Sequence, residues 1–158
     1  MVHDRGANAR DGASSPLPNL SDFPEILHGR KFEDFEIGQV MEHHWGRTIT
    51  ESDVVTFATA TCLWNPLYLN REFAKAHGHP DLVIPPVLAL CVVVGLSVED
   101  LSEAGGPFLG LGDCSFHRDL HVGDTLTARS TVMAARPSTS RPSFGIVTWR
   151  TEAFEQGG

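Results

Sequence analysis

The 158-residue chain is 41% hydrophobic and 20% charged, a balance that excludes a wholly disordered or fibrous protein. That length suits one domain, which buries roughly two-thirds of the surface its unfolded chain exposes. With 20 acidic against 12 basic residues, the formal charge of -8 argues against a nucleic-acid partner, because such binding needs a basic footprint to displace counterions from phosphates.

Residues 1–28 show no sustained hydrophobic period, and their Gly, Ser, Asn, Asp and Pro content predicts a flexible arm. The first 19 residues lack the apolar core of a secretory signal, so the cytoplasm is the expected location. Three widely spaced cysteines, Cys62, Cys91 and Cys114, read as reduced thiols buried in a core. The folded domain is expected over residues 29–158. It opens with FEDFEIGQV (Phe32 to Val40), whose Gly38 turns the chain into an extended stretch, Met41 to Ile49.

Thr50-Glu-Ser-Asp53 predicts a capping box, with Asp in place of Glu, and a helix to about residue 62 on a face of Val54, Val55, Phe57, Ala58 and Thr61. Asn65-Pro66 stops it, since the residue before a proline avoids the helical region. Asn70 caps a second helix of about two turns, Arg71 to His77, with Gly78 just past its end. After Pro85-Pro86, the run VLALCVVVGLSVEDLSEAG is apolar on nearly every face and predicts a helix wrapped on all sides. The longest apolar run, Leu82 to Leu96, contains Pro85, Pro86 and Gly95 and is too short for a membrane span of about 20 residues.

From Pro107 three β-like runs follow: FLGLGDCSF, DTLTARSTVMAA and FGIVTWRTEAF. The alternation of Leu126, Ala128, Ser130 and Val132 fits a half-buried antiparallel strand. A strand, short helices, one long apolar helix and a strand meander predict an α+β fold of hot-dog type, with an antiparallel sheet wrapped around one helix. The eight histidines form no cluster at metal-ligand spacing, so no metal is expected.

The stretch FATATCLWNPLYLNREFAKAHGHPDLVIPP resembles the signature of MaoC-like enoyl-CoA hydratases and dehydratases. That signature reads as a helix ending in Thr-Gly-Asp, then Asn-Pro-Leu-His, then an Ala-bearing helix; Thr61, Asn65, Pro66, Leu67 and Ala74 match it. GLSVEDLSE, VGDTLTARSTV, TSRPSFGIVTW and RTEAFEQGG resemble the branch associated with mesaconyl-CoA and related branched or dicarboxylic enoyl-CoA hydration, so the likeness runs from Phe32 to Gly158. The resemblance implies a lyase acting on a CoA or phosphopantetheine thioester, with no other cofactor. It also implies a homodimer, or pairing with a related hot-dog subunit, with the thioester entering along the interface. Related domains continue into a further strand, so an open sheet edge is expected to favour that pairing.

The chain departs from the family where the chemistry lies. The family's water-holding Asp and His correspond to Leu63 and Tyr68. Leucine transfers no proton, and tyrosine is a poor base at neutral pH. Pro85 and Pro86 stand where a helix-start amide polarises the thioester carbonyl, which leaves Val87 as the first donor. One reading is a rebuilt site, in which Tyr68 and Asn65 hold water and His77 or His79 titrates. Its candidate substrate-binding residues are Trp64, Pro86, Val87 and Arg141, with Arg141 and Arg136 available to CoA phosphates. The others are a catalytically silent thioester-binding subunit and a hot-dog thioesterase.

Overall fold

The computed structural model describes residues 29–104 and 106–156, so the expectation of a flexible arm over residues 1–28 lies outside the described residues. In chain order the elements are β1 (Val40–Glu42), β2 (Arg47–Thr48), α1 (Glu51–Ala60), α2 (Pro66–Leu69), α3 (Arg71–Ala76), α4 (Pro86–Leu101), β3 (Thr125–Pro137) and β4 (Gly145–Glu155).

β3 is the spine of the sheet. Its alternating residues Leu126, Ala128, Ser130 and Val132 are all buried, as their period of two requires. Antiparallel β1 and β2 share one of its edges, in register Met41↔Ser130 and Arg47↔Leu126. Along the other edge β4 runs from Leu126↔Glu155 to Pro137↔Gly145, with a register shift between Val132 and Ala134. The extended stretch expected over Met41 to Ile49 is therefore two short strands. Between them the His43 amide still donates to the Ala128 carbonyl at 3.0 Å.

α4 lies on β3 and β4. Its Leu88, Ala89 and Val92 join Ile49, Val54, Ile84 and Leu126 in the main core. Its last residue, Leu101, joins Phe35, Met41 and Val132 in a second cluster, against which Val147 and Trp149 pack. The sheet covers only part of the helix. Val87, Cys91 and Val98 are exposed, which corrects the expectation of a helix wrapped on all sides.

The capping box forms as predicted: the Thr50 hydroxyl accepts from the Asp53 amide at 3.4 Å, and the Asp53 carboxylate accepts from the Thr50 amide at 2.9 Å. α1 ends slightly early, at Ala60. Cys62 then adopts a left-handed φ of 54°, and the Leu63 amide returns to the Ala58 carbonyl at 2.8 Å. Asn65-Pro66 both stops one helix and starts another, because the Asn65 side chain caps α2 and Pro66 needs no amide partner at its first position. α3 follows on its Asn70 cap.

Two further expectations are corrected. FLGLGDCSF forms no strand: residues 106–117 have no regular structure, and Phe108, Leu109, Leu111 and Phe116 are exposed. β propensity needs a paired neighbour to act, and no described strand pairs with this segment, which also carries Gly110 and Asp113 at positive φ. All three cysteines are exposed rather than in the core. Cys91 sits on the uncovered side of α4, Cys114 in the irregular segment and Cys62 in the turn after α1.

Candidate functional site

A cavity of about 320 Å3 opens where α4 begins. Ile84, Pro86 and Ala89 form one wall and residues 116–120 the other. A short ladder fixes the two walls relative to each other: the Ile84 amide donates to the Leu120 carbonyl at 2.8 Å and the Val122 amide to the Leu82 carbonyl at 3.1 Å. Upstream, Asp81 anchors the same segment. It accepts from the Arg71 guanidinium and the Leu82 amide, each at 2.7 Å, and this hydrogen bonding, Arg71 first, holds its carboxyl below the usual carboxylate range. Arg71 also reaches Glu51 at 2.8 Å, tying α1, α3 and this lead-in together, and the two carboxylates push its own pKa upward.

The first turn of α4 leaves one amide free. Pro86 has none, and the Leu88 and Ala89 amides both donate to the Pro85 carbonyl, at 2.9 and 3.2 Å. The Val87 amide has no acceptor among the described residues; Val87 is not itself in the cavity wall, but follows Pro86, which is. Its position at the positive end of the helix suits a developing oxyanion.

Of the residues singled out from sequence, Pro86 alone lines this cavity. Tyr68 is half-buried and packs against the main core. The Asn65 side chain is engaged in capping α2, its oxygen accepting from the Leu67 amide at 3.0 Å. His77 caps α3, its ring stacked on Phe73 at 4.0 Å and its Nδ1 2.8 Å from the Phe73 carbonyl. His79 meets His121 at 3.3 Å between ring nitrogens, an imidazole pair at the edge of the ladder. Trp64 is exposed, and Arg141 lies in the turn between β3 and β4 with its guanidinium 5.8 Å from the Phe144 ring centre. The structure thus does not gather Tyr68, Asn65, His77 and His79 at one point of the cavity.

What the sequence reading passed over is the opposite wall, His117, Arg118 and Asp119. Its signal was three consecutive polar side chains between Phe116 and Leu120. Arg118 is ion-paired with Glu155 at the end of β4. A second polar cluster lies away from the cavity. Buried His43 bonds Asp100 through Nδ1 at 2.7 Å and the Ser130 hydroxyl through Nε2 at 2.8 Å, and Ser130 meets the Thr151 hydroxyl at 2.8 Å. Although the order resembles a hydrolytic triad, Ser130 has no exposed surface, so the cluster ties α4 to the sheet rather than meeting a substrate. Among the described residues no group of three or more His, Cys, Asp or Glu side chains could hold a metal ion, and no helix is long and apolar enough to cross a membrane.

Comparison with known proteins places the chain in a family. The (R)-hydratase of A. caviae superposes with a TM-score of 0.63 at 28% identity, covering 80% of this chain and 89% of that one. A Mycobacterium tuberculosis protein described as a double hotdog superposes at the same TM-score of 0.63 and 24% identity, over 81% of this chain but 40% of that one, which establishes the hot-dog fold. The mesaconyl-CoA hydratase of Haloarcula hispanica is 38% identical over 128 residues, 81% of this chain and 36% of its own length. The chain therefore spans about a third of the length of such relatives. The family model for mesaconyl-CoA hydratase matches residues 21–158, and the chain belongs to that MaoC-like family.

Proposed function

We propose that the chain binds a branched or dicarboxylic enoyl thioester, carried on CoA or a carrier protein, at the start of α4 and serves its hydration or the reverse dehydration. The observation that carries this reading is the cavity at the start of α4, lined by Pro86 and Ala89, with the unpaired Val87 amide in the same helical turn. Its volume of about 320 Å3 is at the lower end for small-molecule sites, enough for a short acyl group with the carrier outside. As water adds to the β-carbon, negative charge grows on the thioester oxygen, where one fixed amide donor is worth about 10²- to 10³-fold in rate. The mesaconyl-CoA hydratase relatives support the substrate class.

The test is enoyl absorbance on mixing the protein with crotonyl-, mesaconyl- and itaconyl-CoA and their hydrated forms, with mass detection of free CoA. Hydrated product is the expected result. Release of free CoA in its place means a thioesterase, and silence from a folded protein overturns turnover by this chain alone.

A second reading has its own support in Leu63 and Tyr68 and in the roughly one-third coverage of the relatives. In it the chain is the thioester-binding half of a pair, and a second hot-dog unit brings the acid and base. It expects thioester binding without turnover until that unit is added.

A further inference from the structure

Both of the family's proton-handling positions, Leu63 and Tyr68, lie outside the cavity wall, whereas His117 and Asp119 lie in it. Alone among the described histidines, His117 has no hydrogen-bond, ion-pair or ring partner among the described residues, and Asp119 has none either. Arg118 between them is already engaged by Glu155, so it does not neutralise its neighbour by a direct contact. The cavity thus presents one imidazole and one carboxylate, both uncommitted, in a lining shared with Pro86 and Ala89 of α4. Adding water across a double bond calls for two such groups, one to take a proton from water and one to give a proton to the neighbouring carbon.

We infer that His117 and Asp119 are the acid and base of this cavity, replacing the pair lost at Leu63 and Tyr68; the inference rests on the hydratase reading above. The Asp119 carboxylate takes a proton from water as the water oxygen bonds to the β-carbon. The electrons of the carbon–carbon double bond move to the α-carbon and thioester oxygen as an enolate. The His117 imidazolium then protonates the α-carbon, the carbonyl re-forms, and one water has been added. Asp119 returns its proton to His117 through solvent, which resets the site. Dehydration is the same sequence reversed. The substrate class this pair serves is an α,β-unsaturated thioester with a short acyl chain, set by the cavity's size and its Ile84, Ala89 and Phe116 walls.

The experiment compares wild type, His117→Gln and Asp119→Asn as full chains in steady-state hydration of mesaconyl- and crotonyl-CoA. Calorimetric binding of butyryl-CoA, which has no double bond to hydrate, is measured in parallel. Expected is a fall of about 100-fold or more in kcat for each variant, with butyryl-CoA affinity within about three-fold of wild type, the size of change that loss of chemistry without loss of binding allows. If wild type hydrates and both variants keep kcat within about five-fold, the pair is not catalytic although the hydratase reading stands. Wild type that binds butyryl-CoA but hydrates nothing overturns both the hydratase reading and the pair, leaving a binding cavity. Should a variant lose butyryl-CoA binding together with turnover, the group shapes the cavity and the inference fails. Both side chains are exposed, so unchanged melting temperatures are expected in both variants.

Discussion

Cys62 occupies the place of the glycine in the family's Thr-Gly-Asp, and its φ of 54° shows what that glycine is for. The turn from α1 into the Asn-Pro segment needs a left-handed residue, where a side chain costs roughly 1 kcal/mol or more. Cys62→Gly is expected to raise stability by about 1 kcal/mol and the melting temperature by about 2–4 °C, read by thermal denaturation. A cysteine at that position gives no hint of its backbone angle, so the sequence could reveal the turn but not its strain. His43 was hidden for another reason: its partners Asp100 and Ser130 are 57 and 87 residues away, and no local pattern announces such a contact. Replacing it with leucine leaves buried Ser130 with one partner fewer and Asp100 without its imidazole. A loss on the order of 2 kcal/mol in urea-induced unfolding is expected.

Among the elements, those set by local chemistry were legible and those set by a partner were not. The Thr50–Asp53 box, the Asn70 cap and the alternation of β3 each follow from a few neighbouring residues. The same apolar alternation misled over residues 106–117, because a strand exists only when another strand accepts its hydrogen bonds. The site was half legible. Of the cavity lining only Pro86 was named from the helix start, whereas His117 and Asp119 reach the cavity through the ladder between residues 82–84 and 120–122, which no local signal specifies. The α1 cap gives a test by pH. The Asp53 carboxyl is lowered below its ordinary value of 3.8, first by the Thr50 amide and further by the Thr50 hydroxyl and Arg47. A lowered folded value means the stabilisation is complete above the unfolded value and disappears as pH falls through the folded one. Asp53→Asn is therefore expected to melt below wild type at pH 7, with the difference closing as pH falls below about 4 in a series of thermal melts.

At the scale of the molecule, the described residues leave both apolar side chains and a sheet edge open. Phe108, Leu109, Leu111 and Phe116 stand exposed, and on α4 Val87, Cys91 and Val98 are also uncovered. A monomer seldom leaves so many large apolar side chains exposed, and β4 pairs with no described strand on its outer side. The relatives offer a reason, since a mesaconyl-CoA hydratase such as that of Haloarcula hispanica is long enough for this chain to match only 36% of it. A second hot-dog unit packed on residues 106–115, short of the cavity wall that begins at Phe116, would give the segment the neighbour a strand needs. For a chain pairing with its own copy, light scattering after gel filtration should give twice the 17.2 kDa mass of one chain. Leu109→Glu with Leu111→Glu, both exposed in the single chain, should return the mass to one chain with helix content unchanged, because burying two charges in an apolar interface costs several kcal/mol. A wild-type monomer at tens of micromolar would exclude self-association at the strength expected of a stable interface. Such a result would leave a related unit, rather than a copy, as the candidate to cover this surface.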